Sequence, residues 1–175
     1  MIDQITESRI QLLHPKIRTE VLKVYREEVV PALTGDYFFR IIHTYRSFEE
    51  QAELYAKGRT KLFDNNGKRL GIVTKAKPGF SWHQYCFGLD YCLINKNNKG
   101  LSWDIAKDYD KDGKSDWLEV AEIFKKHGWI WGGDWKSFKD YPHLEFPIKY
   151  NIKEMLKKYN EGDVFQDNNL KYVNV

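Results

Sequence analysis

Cysteine is scarce in this 175-residue chain, with only Cys86 and Cys92 present. Six residues apart on one strand, they would point the same way yet stand too far apart to bridge. No disulfide framework is therefore expected, and both should be free, buried thiols. No apolar run is long enough to cross a bilayer, which argues against stable membrane insertion. The opening Met1-Ile2-Asp3-Gln4 has neither the basic segment nor the apolar core of an export signal, so the expectation is a chain made in a cytoplasm without the general secretory route. Lys and Arg never gather into a nucleic-acid stripe, and 28 basic against 25 acidic residues leave a formal charge of +3. That excludes nucleic acid as an expected partner and suits, weakly, an anionic polymer.

What the chain has is aromatic bulk: six Trp, eleven Tyr and ten Phe, within a hydrophobic fraction of 42% that is ample for one core. The spacing of Ile17, Val21, Val24, Tyr25 and Val29 predicts an amphipathic helix over Pro15 to Val30, closed by Pro31. Phe38 to His43 reads as a buried strand. Ser47 and Glu50 form a capping box for a helix that runs to Gly58, and residues 59 to 80 read as a long loop. From Tyr85 to Ile94 the chain alternates, placing Tyr85, Phe87, Leu89, Tyr91 and Leu93 on a bulky face and Asp90 among small residues on the other. Residues 115 to 127 predict a helix burying Trp117, Ala121 and Phe124. A short strand is expected from His143 to Phe146, and a Lys-rich helix with a polar tail after Pro147. The whole reads as one α+β domain, residues 1–150, with 151–175 as its helix and tail.

Two imidazoles and a carboxylate, His83, Asp90 and His143, can hold one Zn²⁺ and leave its fourth position open, as catalytic zinc sites do. His83 lies seven positions from Asp90, an odd number that a straight strand would send to the opposite face. Convergence needs a bend between Gln84 and Cys86. Asp140, three residues before His143, is placed to act on a water. The alternative is that these are unrelated polar residues; His14, His43 and His127 lack a comparable pattern and read as structural.

The run Ser81-x-His83 through Asp90, with Asp140-x-x-His143, resembles the zinc D-Ala-D-Ala and L-alanyl-D-glutamate peptidases, which include VanX- and VanY-type enzymes and phage endolysins. Cys86 stands where that family usually has Gly, and Gly88 where it usually has Ala. Trp131-Gly132-Gly133-Asp134-Trp135 through Glu145, and Arg46-Ser47 with Gln51, look like the L-alanyl-D-glutamate branch. The resemblance implies a small antiparallel sheet carrying zinc on His83, Asp90 and His143 and flanked by helices. It also implies Asp140 as general base, with Glu145 as rival. Arg46 would bind an oxyanion or substrate carboxylate, or else form a surface ion pair. Ser81 would contact substrate or cap a turn, and Trp131 would floor a substrate groove or fill core. The partner implied is the peptide stem of peptidoglycan, cut by a monomer between L-Ala and D-Glu. Release through a holin, as for an endolysin, is the expected setting. A D-Ala-D-Ala carboxypeptidase or dipeptidase is the alternative within the enzyme class, and a non-catalytic wall-binding module outside it.

A second metal pattern is independent of the first. Asp108, Asp110, Asp112, Lys114, Asp116 and Glu119 occupy positions 1, 3, 5, 7, 9 and 12 of an EF-hand-type loop, with Gly113 at position 6 and Lys114 offering its backbone carbonyl. Ser115 at position 8 argues for a lone Ca²⁺ site. The bland reading is a polar turn that caps the next helix.

Overall fold

A computed structural model describes residues 1–175, and the chain divides into two compact units. The first comprises residues 1–44 and 86–147, the second 45–85 and 148–175.

The first unit opens with α1 (Gln4–Ile10), which the sequence reading did not anticipate. Asp3 caps it by accepting from the Thr6 amide, and the same carboxylate takes two hydrogen bonds from Arg40 on β1 (Tyr37–His43). A seven-residue helix is marginal alone; this one is held by a partner far along the chain. The expected helix from Pro15 to Val30 instead comprises α2 (Pro15–Val24), a wider π-type turn over Tyr25–Val29, and a last turn, α3 (Val30–Ala32). Pro31 lies inside that last turn and does not close the helix from beyond it. Proline lacks the amide of a regular ladder, which the irregular turn just upstream accommodates.

The antiparallel sheet has the order β1–β2–β5–β4, with β2 spanning Gly88–Asn95, β4 Ile130–Trp131 and β5 His143–Glu145; β3 (Leu101–Ser102) pairs with β2. Both faces of β2 are covered: Leu89, Tyr91 and Leu93 are fully buried, and so is Cys92. Its alternation sorts two interiors and does not separate core from solvent. Tyr91 stacks toward Phe39 and Trp117, and its hydroxyl donates to the Trp117 carbonyl at the start of α5 (Asp116–Lys126). Each such fully buried aromatic contributes about 2–3 kcal/mol. The helix runs as expected and ends at Gly128, whose φ of +83° is one glycine adopts without strain.

The second unit holds α4 (Phe48–Ala56), with both halves of the Ser47–Glu50 capping box formed, and α6 (Ile152–Asn160). Phe48 stacks on Tyr159 and meets the edge of Tyr85. The loop expected over 59–80 is pinned by Gln51, which donates to the Ala76 carbonyl, and by Arg59, which reaches the Tyr55 and Thr74 carbonyls. The expected polar tail is in fact a hairpin, β6 (Val164–Asp167) and β7 (Leu170–Val173), that buries Tyr172 and Val173. Asn168 and Asn169, at φ +48° and +61°, make its two-residue turn. No helix is long and apolar enough to cross a membrane.

Candidate metal centre and its surroundings

Sheet pairing sets Asp90 directly opposite His143, because β2 and β5 align Gly88 with Glu145, Leu89 with Leu144 and Asp90 with His143. On its other side Asp90 faces His43 across a bulge in β1 between Ile41 and His43. Bulges re-aim side chains, and they are common beside reactive centres. The bend expected before Asp90 is a 3₁₀ turn over Trp82–Tyr85, followed by Cys86 at φ +63°. Cys86 therefore occupies a left-handed conformation that glycine tolerates better than any other residue. Its carbonyl accepts from the His14 amide, and its side chain is fully buried. Burial pushes the Cys86 thiol up to about 12 and that of Cys92 to about 11, so both stay protonated and unreactive.

His143 is 7% exposed. Its Nδ1 lies 2.9 Å from Asp90 Oδ1 and its Nε2 3.3 Å from Glu145 Oε2. Burial alone would lower the imidazole pKa, but the hydrogen bonds to Asp90 and Glu145 outweigh it and raise the value to about 9. The site is thus built to hold positive charge: two carboxylates and little solvent surround the place where a cation would sit. Asp90 and His143, paired across β2 and β5, offer a carboxylate oxygen and an imidazole nitrogen to an ion, and His83, the third expected ligand, lies on the 3₁₀ turn of the second unit. Two imidazole nitrogens and one carboxylate oxygen fit Zn²⁺, which favours mixed N/O ligation and takes three protein ligands when it is catalytic.

Asp140 is placed through its backbone. Its amide donates to the Gly132 carbonyl and its own carbonyl accepts from the His143 amide. Gly132 cannot carry a side chain without strain: a Cβ there would stand 2.4 Å from the Asp140 carbonyl oxygen. One at Gly133 would stand 2.3 Å from the Trp131 ring, which explains the paired glycines. Trp131, expected as a groove floor, is 7% exposed, and its ring N–H donates to the Tyr141 carbonyl. It braces the loop bearing Asp140 and leaves little surface for a ligand. Trp135, half-buried with its ring centre 5.4 Å from that of His143, is the aromatic beside the site.

In the second unit, the Arg46 amide donates to the His83 carbonyl, and its guanidinium donates to Gln51 Oε1. Gln51 is fully buried. It orients Arg46, a role that only its spacing from Arg46 hinted at. The Ser81 carbonyl accepts from Gln84 and opens the 3₁₀ turn. Of the other histidines, His14 caps α2, accepting from the Lys16 amide. His127 stands between Glu20 and Glu28, a carboxylate pairing the sequence spacing did not reveal.

In the acidic loop, Asp108, Asp110 and Asp116 come together. Asp112 and Glu119 do not join them; both lie by the Lys114 ammonium, at 4.0 and 3.4 Å. No helix precedes the loop, so the full EF-hand is not formed.

Residues 74–146 match the model of a peptidase M15 family described as D-alanyl-D-alanine carboxypeptidase. The similarity to that family covers less than half of the chain. The matched stretch includes His83, Asp90, Asp140 and His143. Over 105 residues, 60% of the chain, the sequence is 50% identical to the peptidoglycan L-alanyl-D-glutamate endopeptidase CwlK of Bacillus subtilis (strain 168). The match spans 58% of that curated relative's length. Among solved structures, the L-Ala D-Glu endopeptidase ChiX of Serratia marcescens is similar with a TM-score of 0.50 at 20% identity, covering 83% of this chain and 89% of that one. The chain shares its α+β fold with that enzyme.

Proposed function

We propose that this protein is a zinc-dependent peptidoglycan endopeptidase that cuts stem peptides between L-Ala and D-Glu. The observation that carries the reading is the pairing of Asp90 with His143 across β2 and β5, within the stretch that matches a D-alanyl-D-alanine carboxypeptidase family and that also holds His83. The identity to CwlK supports the choice of bond.

His83, Asp90 and His143 would hold the ion. Zn²⁺ supplies Lewis-acid polarisation of a carbonyl and makes water more acidic near neutral pH. The remaining work falls to the protein. Asp140, on the loop tied to Gly132 and His143, takes the proton of the attacking water on a carboxylate oxygen and passes it to the leaving amine. Glu145 keeps His143 oriented through Nε2, which favours a supporting role for it over that of base. Arg46, steadied by buried Gln51, offers a planar cationic fork to substrate carboxylate or to developing oxyanion charge. Trp135 lends an apolar wall beside His143.

A second reading, removal of terminal D-Ala, draws on the description of the matching family. Mass spectrometry of digested peptidoglycan, with new amino termini labelled, separates the two. A chelator-sensitive D-Glu terminus is expected, and released D-Ala would move the assignment to the carboxypeptidase. Asp140→Asn should lose at least a hundredfold in turnover while keeping its zinc. Unchanged turnover would remove Asp140 as base.

A further inference from the structure

The acidic loop before α5 carries a ligand signal beyond its pattern of carboxylates. Asp116, the first residue of α5, is 2% exposed. Its Oδ1 accepts from the Tyr109 amide, but its Oδ2 is buried without any hydrogen-bond partner. Its carboxylate groups with those of Asp108 and Asp110, with ligand atoms within 4.8 Å of one another. A buried carboxylate oxygen left unsatisfied is destabilising, and placing it beside two more carboxylates compounds the cost. Such an arrangement makes physical sense when a cation completes it.

We propose that Asp108, Asp110 and Asp116 form a site for one Ca²⁺, distinct from the His83–Asp90–His143 centre. All three donors are hard oxygens, which suits Ca²⁺ and gives Zn²⁺ no nitrogen or sulfur. The loop backbone is already shaped for it. Gly113, at φ +95°, donates its amide to Asp108 Oδ2, and the Thr34 amide and hydroxyl anchor Asp110 from outside the loop. Lys114 accounts for the two pattern positions that stand apart, since its ammonium serves as counter-ion to Asp112 and Glu119. The site therefore uses positions 1, 3 and 9 of the loop, with water or backbone oxygens completing the shell. Because α5 leads through Gly128 into β4, which pairs with β5, an ion at its first residue steadies the element order that ends at His143.

The test is Tb³⁺ titration of the full-length, zinc-loaded protein, with excitation of Tyr109 and Trp117, followed by competition with Ca²⁺. One equivalent of sensitised Tb³⁺, displaced by Ca²⁺, is expected. Asp116→Asn and Asp108→Asn should each weaken binding at least tenfold, with circular dichroism confirming the fold. His83→Ala should leave Tb³⁺ binding intact, so the outcome is independent of peptidase activity. Absence of Ca²⁺-displaceable emission, or binding by both Asn variants as tight as that of the wild type, would overturn the proposal.

Discussion

Stripping the metal from this protein should make its stability depend on pH in a way set by one imidazole. His143 titrates at about 9 in the folded state against an ordinary 6.5, because Asp90 and Glu145 hold its proton. The difference amounts to about 3 kcal/mol of stabilisation. Below pH 6.5 the ring is protonated whether folded or not, and that stabilisation is fully present. As pH rises through 9 the folded protein gives up the proton and the stabilisation is lost. Between pH 6.5 and 8.5 the loss from this residue comes to about 2 kcal/mol. Urea unfolding of chelator-treated protein at several pH values in that window measures it, and the same series on His143→Gln isolates it. Wild-type stability should fall toward that of the variant as pH rises. With saturating Zn²⁺ the trend should reverse, since ligation needs the neutral ring and the ion then takes the proton's place. Parallel wild-type and variant curves in the metal-free series would refute the argument that this centre is built around a cation.

Four further substitutions, at three positions, test the scaffold. Cys86→Gly relieves a left-handed non-glycine residue, worth about 1 kcal/mol, against a similar loss of buried side chain, so it should be near neutral in thermal denaturation. Cys86→Ala keeps the strain and loses the sulfur, and should be less stable than the glycine variant, the reverse of the usual Gly–Ala order. Gly132→Ala drives a Cβ into the Asp140 carbonyl, so turnover on peptidoglycan should fall at least tenfold while zinc content, read by atomic absorption, stays at one equivalent. Asp3→Ala removes the α1 cap and leaves Arg40 without its buried partner, at a cost of about 3 kcal/mol in urea unfolding.

The parts of this molecule that were legible in the sequence are those whose determinants lie close together in the chain. The Ser47 capping box, the alternating strand around Asp90, the glycine after α5 and the bend before Cys86 each rest on a few neighbouring residues. Motif spacing singled out His83, Asp90 and His143, and strand pairing sets two of them, Asp90 and His143, opposite each other. What escaped was settled at a distance. The seven residues of α1 depend on Arg40, the two-residue β4 exists through its pairing with β5, and the burial of Trp131 goes with Gly133 packing against its ring. The C-terminal hairpin was a different failure: Asn168-Asn169 between Val164–Asp167 and Leu170–Val173 is a local turn signal, masked by the polarity of its surroundings. In the acidic loop the spacing singled out six positions, of which Asp108, Asp110 and Asp116 group together; the pairing of Lys114 with Asp112 and Glu119, which only side-chain reach decides, left no mark in the sequence.

The alignment of Asp90 with His143 across two neighbouring strands has an evolutionary consequence. Their separation is written into the hydrogen-bond ladder, so it does not depend on the length of chain joining β2 to β5. Insertions or deletions between residues 96 and 142 can reshape the surrounding surface without moving these two side chains. A slip of one residue in the β2–β5 pairing, by contrast, would turn one of them to the opposite face and abolish the centre at a stroke. Descendants of this chain are free to vary the length of that connection but must keep the strand register.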